Sequence, residues 1–305
     1  MRVFVTGASG HIGLPVVRDL LAGGHKVVGL ARSEASAEKV SSMGAEVRRS
    51  TLDDLDGLRE AARNADGVIH LAFKHDLALV SGDFMGAVTA DLRAVEAIGE
   101  ALAGSEKPFV NTSGTMLLAH SVRGRAGTEG DEGQEGGNPR VASEKLSVAF
   151  AKRGVRTSTM RLAPTVHSSL DHFGFIPMLI AAARKSGFAA YVGDGSARWP
   201  AVHTLDAARL YRLALEAAPA GSRVHAAAEE GVPFRSIAEA IGRGLHLPAT
   251  SVPAEKAAEA FGGLLGMVAQ LDNPTSSART RERLGWKPTH PGLIADIGEG
   301  HYFAS

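Results

Sequence analysis

The sequence predicts a doubly wound α/β fold, with a parallel sheet covered by helices on both faces and a smaller carboxy-terminal lobe. Three observations predict it. The chain opens on an apolar run, Val3-Phe4-Val5, which passes through Thr6 into Gly7-Ala8-Ser9-Gly10-His11-Ile12-Gly13 and then an amphipathic stretch over 14–22. Short apolar runs then alternate with helix-period stretches as far as residue 165, the pattern of repeated strand–helix–strand units. At 305 residues the chain can bury a full core without disulfide or metal staples.

The first strand, turn and helix form a phosphate cradle. Glycines permit the tight turn and close backbone approach, and the helix start supplies free N–H groups and partial positive charge. After Gly23-Gly24 the second strand runs over 25–30, a helix over 35–43, a third strand over 45–47 and a helix over 55–65. A fourth strand is expected at 67–72, a long helix at 84–103 and a fifth strand at 108–113. Residues 124–138 are rich in glycine, acid and amide side chains with little to bury. They are expected to form a loop or lid. A helix over 141–152 and a strand over 157–162 resume the pattern. Beyond Pro164 the elements are less regular. Helices are expected over 176–185, 206–217 and 234–244, a strand and turn at 191–195, and a strand at 222–226 that returns to the main sheet. The predicted division is a nucleotide-binding domain over 1–165, rejoined by 203–228, and a substrate-facing lobe from 166–202 and 229–305. Asp206 is expected to cap the helix it opens.

Composition narrows the function. Lys plus Arg equals Asp plus Glu at 33 each, so charge favours neither nucleic acid nor an anionic membrane, and the expected partner is a small molecule. The absence of cysteine removes thiolate nucleophiles, thiolate metal sites and iron–sulfur clusters. Twelve histidines are present, but in no His-x-x-x-His or His-Glu-x-x-His pattern, so no metal is expected. No apolar run approaches a membrane span of about 20 residues, and a cytoplasmic location is expected. Ser113, His167 and Asp206 make a nominal hydrolase set, but no Gly-x-Ser-x-Gly elbow surrounds Ser113.

Five landmarks stand in order: Thr6 to Gly13; His70-Leu71-Ala72; Thr112-Ser113-Gly114; Arg161-Leu162-Ala163-Pro164-Thr165-Val166-His167; and Gly193-Asp194-Gly195 followed by His203-Thr204-Leu205-Asp206-Ala207-Ala208. Together they resemble the extended short-chain dehydrogenase/reductase superfamily, the NAD(P)-dependent epimerase/dehydratase group, with a Rossmann-type domain. Leu284-Gly285-Trp286-Lys287-Pro288 extends the likeness nearly to the end of the chain. The resemblance implies a nicotinamide dinucleotide bound along Gly7, Ala8, Ser9, Gly10, His11, Ile12 and Gly13, with Leu71 and Thr112 also contacting the cofactor and Ala72 beneath the nicotinamide ribose region. It also implies a homodimer through the helices at 84–103 and 141–152.

An enzyme selective for NAD places a carboxylate after the second strand, where it would repel a 2′-phosphate. Here that place holds Arg32-Ser33, which favours NADP(H) over NAD. The alternative is Glu34 in the carboxylate role. The adenine contact falls to Thr51 or Asp53.

The resemblance fails at the catalytic helix. The superfamily protonates its product with Tyr-x-x-x-Lys, whereas the tyrosines here are Tyr191, Tyr211 and Tyr302, none on that helix. One register puts Lys145 at the lysine and Val141 at the tyrosine; the other puts Arg140 at the tyrosine and Glu144 at the lysine. Neither valine nor arginine supplies a proton. Ser113 stands where the substrate-orienting serine belongs, and His203 or His167 is the candidate acid, histidine titrating near pH 6.5, with Tyr191 as a further candidate. Thr115, Tyr191, Arg198 and Trp199 are candidate substrate contacts, Arg198 for an anion and Trp199 for an apolar wall. The expected activity is NADP(H)-dependent oxidoreduction of a small carbonyl or alcohol. The alternatives are a redox-sensing NADP-binding protein resembling the NmrA-like regulators, and a non-redox isomerase or lyase that uses the dinucleotide structurally.

Overall fold

A computed structural model of the chain describes residues 1–304. The central sheet takes β1 (Arg2–Thr6), β2 (Lys26–Ala31), β3 (Glu46–Arg49), β4 (Gly67–His70), β5 (Pro108–Gly114), β6 (Arg156–Leu162) and, after a long excursion, β10 (Ser222–Ala226). Its spatial order is β10-β6-β5-β4-β1-β2-β3, every pairing parallel. This is the doubly wound Rossmann order, and its crevice lies at the carboxyl ends of the strands where β1 and β4 diverge. The predicted return of 222–226 is observed, in register with Ser158–Leu162.

Alternation along the strands explains the two layers. Phe4, Val68 and Phe109 are cross-strand neighbours that face α3 (Leu55–Arg63) and α4 (Phe84–Leu102). Val5, Ile69 and Val110, one residue on, face α1 (Gly13–Ala22) and α7 (Thr204–Ala217). A one-residue slip would exchange both faces, so burial on both sides fixes the register. The remaining layer helices are α2 (Glu34–Ser41) and α5 (Val141–Ala149).

The other residues build a second core. It contains β8 (Ala189–Val192) paired with β12 (Ala249–Val252), and a three-stranded sheet of β7 (Thr165–His167), β9 (Arg198–His203) and β11 (Glu229–Pro233). Helices α6 (Phe175–Ser186), α8 (Phe234–Leu245), α9 (Ala257–Phe261), α10 (Gly263–Val268) and α12 (Leu293–Gly298) surround it. Helix α11 (Ala278–Leu284) packs back on α7. Strand β7 has only three residues, too few to show as a period in sequence.

Two expectations are corrected. Residues 124–138 form the loop of the loop-or-lid expectation, and the lid alternative is corrected because polar bonds tie the segment down. Buried Glu129 accepts from the backbone and hydroxyl of Thr280, both at 2.7 Å, the Asp131 carbonyl accepts from Arg161 at 2.9 Å, and Gly127 bridges to Thr275. Apolar burial was the wrong criterion for a loop ordered by charge. Helix α7 begins at Thr204, and its cap is His203, whose Nδ1 accepts from the Leu205 N–H at 3.2 Å. Asp206 is buried and tethers the distal chain instead, accepting from the Thr289 and His290 N–H groups, each at 3.0 Å.

Candidate active site

The glycine turn packs its own backbone too closely for side chains at two positions. Gly7 has φ +69°, and a Cβ placed there would lie 2.8 Å from the Ala72 nitrogen; one at Gly13 would lie 2.0 Å from the Gly7 carbonyl oxygen. The Gly10 N–H closes the turn on the Gly7 carbonyl at 3.0 Å. Only glycine fits either place. Beneath the turn the Thr6 hydroxyl lies 2.7 Å from His70 Nδ1 and accepts from the Ala72 N–H at 3.2 Å, which locks the ends of β1 and β4 together. Leu71 and Ala72 thus form the far wall of the cradle.

At the end of β2, Arg32 is exposed and pairs with Asp76 at 2.7 Å. The Ser33 hydroxyl caps α2, accepting from the Ser36 N–H at 3.2 Å and donating to the Ser36 hydroxyl. Its hydroxyl is thus engaged at the start of α2, as the Arg32 guanidinium is on Asp76. Glu34 is drawn onto Arg49 and Asp53 onto Lys74.

A buried polar network lies at the ends of β5 and β6. Ser113 donates to Glu144 at 2.9 Å, and Glu144 also takes Arg161 and Arg223. Burial pushes the Glu144 carboxyl up, but the Arg161 hydrogen bond and charge, joined by Ser113 and Arg223, outweigh it and hold it below the usual range. Glu144 is therefore a structural anion, and Lys145 points outward to Glu135. In neither register does a lysine reach the strand ends. The cation that faces the strand ends is Arg140. It donates to the Thr112 carbonyl at 3.0 Å, and its guanidinium lies 4.5 Å from the Phe73 ring centroid. The Thr112 hydroxyl is committed to the His70 carbonyl at 2.6 Å and lies 2.8 Å from the Tyr211 hydroxyl.

A rim of histidines and carboxylates closes the other side. His11 leaves the glycine turn and places Nε2 2.8 Å from the Thr204 hydroxyl and Nδ1 3.8 Å from Asp171. Ser168 donates to the same Thr204 hydroxyl at 2.9 Å. His167 is fully buried, its Nδ1 2.9 Å from Asp296. His203 stacks on His290 with ring centroids 4.6 Å apart. Burial, aided by nearby histidines, lowers His11 and His203 to about 4, while burial raises Asp171 to about 6. Both histidines are neutral at pH 7, and a neutral histidine whose Nδ1 already accepts the Leu205 N–H is a poor acid. The candidate role of His203 is corrected to a helix cap; His167 reaches a substrate only through another group.

Comparison with known proteins agrees with this geometry. The model of the NAD dependent epimerase/dehydratase family matches residues 3–227. The chain belongs to that family. It is thus an NAD(P)-dependent enzyme of oxidoreductase type with a nicotinamide dinucleotide as its cofactor class. An uncharacterized protein of Schizosaccharomyces pombe, C2A9.02, is 48% identical over 99% of this chain and 100% of its own length. The 2′-dehydrokanamycin reductase of Streptomyces kanamyceticus is 30% identical over 85% of this chain and 71% of its own. Among solved structures, the dTDP-glucose 4,6-dehydratase DesIV of Streptomyces venezuelae superposes with a TM-score of 0.77 at 19% identity, covering 98% of this chain and 96% of that one. It shares the fold.

Within this epimerase/dehydratase-family chain, several expected substrate contacts lie elsewhere. Trp199 is fully buried between Phe175 and Phe234 in the second core, so it lines no cleft. Arg198 opens β9, at the end of the strand opposite His203, and is paired with Asp272 at 2.7 Å. Tyr191 lies on β8 beneath Arg235. Thr115 is buried and accepts from Asn273 at 2.9 Å. Sequence reasoning missed Asp171, Asp296 and Tyr302, which reach the rim from a loop, a six-residue helix and the distal tail. The one available signal was the aromatic cluster His301-Tyr302-Phe303. Among the described residues no helix is long and apolar enough to cross a membrane.

Proposed function

We propose that the chain is an NADP(H)-dependent oxidoreductase acting on a small carbonyl or alcohol. The observation that carries this reading is the glycine turn, with no room for a Cβ at Gly7 or Gly13, beside a β2 end that presents Arg32, paired with Asp76, while Glu34 is drawn onto Arg49. Backbone N–H groups from Gly7 to Gly13 would hold the pyrophosphate, and Arg32 would leave Asp76 for a 2′-phosphate. Leu71, Ala72 and Thr112 would flank the nicotinamide ribose, with the Arg140 guanidinium as the nearby cation. When bound, the dinucleotide supplies or accepts a hydride. Ser113, whose hydroxyl donates to Glu144, would accept from the hydroxyl of an alcohol substrate and has no proton free for a carbonyl in this arrangement. The reductase named above supports a carbonyl as the group reduced. The reading includes a homodimer through α4 and α5, which light scattering tests.

Titrating NADPH and NADH by fluorescence, then following NADPH absorbance with a panel of ketones and aldehydes, tests the reading. Preferential NADPH binding with turnover of at least one panel member is expected. Tight binding with no turnover would favour a redox sensor.

A further inference from the structure

With Glu144 structural, His203 a cap and His167 enclosed, neither histidine expected from sequence is left to give the proton. The three tyrosines divide clearly in the structure. Tyr191 lies on β8, and Tyr211 is sealed in the main core, its hydroxyl 2.8 Å from that of Thr112. Tyr302 comes back to the rim. Its hydroxyl accepts the Ser168 N–H at 3.2 Å and lies 3.4 Å from Asp171 Oδ2. Ser168 and Asp171 both stand between that phenol and His11 of the cradle. Asp171 lies 3.8 Å from His11 Nδ1, and the Ser168 hydroxyl reaches the Thr204 hydroxyl, 2.8 Å from His11 Nε2.

The placement is held from several sides. His301 packs on the Tyr302 ring with centroids 4.3 Å apart. Phe303 fills the space over Gly244, where a Cβ would lie 2.1 Å from its ring, and its carbonyl accepts from Arg184 at 3.3 Å. Asp171 is itself fixed by the Gly174 N–H at 2.7 Å. A ring anchored on both flanks presents its hydroxyl in one direction.

The geometry points to Tyr302 as the proton donor of this site, with Asp171 as the residue that positions its hydroxyl and returns its proton. This rests on the oxidoreductase reading above. In the reducing direction the substrate carbonyl gains a hydride at carbon from the reduced dinucleotide, which supplies both electrons, and a proton at oxygen from Tyr302 Oη. The O–H bond of tyrosine breaks and the O–H bond of the alcohol forms. The Ser168 N–H steadies the phenolate until the Asp171 carboxyl reprotonates it, and Asp171 recovers its proton from solvent. Charges around the pair restrict the base that can take this proton. Burial and the nearby Asp171 and Asp296 carboxylates raise the Tyr302 phenol, so it keeps its proton until it meets an alkoxide, a stronger base. Asp171 faces His11 from the glycine turn, His167 from β7 and Tyr302 from the tail; with its pKa near 6 it retains some carboxyl form close to neutrality.

Tyr302→Phe and Asp171→Asn test the assignment. In Tyr302→Phe the NADPH affinity should stay within about twofold, while turnover of the best panel carbonyl should fall by about 100-fold or more. Asp171→Asn should keep part of the turnover and lose its pH dependence near 6. A second readout needs neither cofactor nor turnover. With 13C-labelled tyrosine, the resonance that disappears in Tyr302→Phe should shift as pH passes through about 6 and stay fixed in Asp171→Asn. Full turnover in Tyr302→Phe, or a resonance indifferent to Asp171, would overturn the assignment and leave the oxidoreductase reading standing. A wild-type protein that binds NADPH and reduces nothing would overturn both.

Discussion

The cradle and the rim lie on the same edge of the sheet and are made in opposite ways. The cradle is backbone, and its specificity is the absence of side chains at Gly7 and Gly13. The rim is all side chains, drawn from His11, Asp171, Thr204, Asp296 and Tyr302, which tertiary structure alone brings together. Outside those glycines, a backbone site survives drift in its surroundings because other residues also supply an N–H. A side-chain site depends on each contributor, so a superfamily can keep its cofactor and change its acid.

The sharpest way to break this contrast is in the buried network beside Ser113. Glu144→Ala leaves Arg161 and Arg223 without their shared carboxylate. Urea unfolding should show a loss of about 3–5 kcal/mol, the cost of stranding a buried charge. The double variant Glu144→Met with Arg161→Met should recover most of it. Next in size, Gly13→Ala drives a methyl against the Gly7 carbonyl. It should cost about 1–3 kcal/mol and abolish NADPH binding, read by fluorescence; retained binding would mean that the cradle is not the cofactor site.

Arg32→Ala should fold normally and reduce the preference for NADPH over NADH by roughly tenfold, about 1.4 kcal/mol, measured by parallel titrations. An unchanged preference would remove Arg32 from the 2′-phosphate. The smallest effect is expected at His203→Asn, since asparagine also caps helices well. Stability at pH 7 should change by less than about 1 kcal/mol, with turnover preserved. The pH dependence should change as well. Folding lowers His203 from 6.5 to about 4, so the unfolded chain takes the proton first, and the stability this site contributes above pH 6.5 is lost as pH falls toward 4. His203→Asn should make that acid limb shallower in denaturation midpoints taken across the range. Asp171, raised to about 6, acts in the opposite sense, favouring the fold at low pH and losing that contribution as pH rises through its folded value.

What was legible in sequence follows the same division. The seven-stranded sheet, the turn at Gly7–Gly13 and the return of β10 were all readable, because apolar period and glycine spacing are local signals. The place of Arg32 directly after β2 was readable as well. His203 was noticed for its place and misread in role, since whether Nδ1 faces a substrate or the Leu205 N–H depends on where α7 starts. Trp199 was misread because its environment is set by Phe175 and Phe234, from two other elements. Asp171 and Tyr302 are 131 residues apart, and no local pattern links them.

The tryptophans have a practical value that follows from their burial. The chain has two, and each is sealed in a different core. Trp286 packs in the main core with its indole N–H on the Asp206 carbonyl at 3.0 Å, and Trp199 lies at the centre of the second core. Single-tryptophan variants therefore give each core its own fluorescence signal. Coincident transitions would mean that cradle and rim melt as one body, and separated ones that the half of the site borne by the tail can loosen while the cofactor half remains folded.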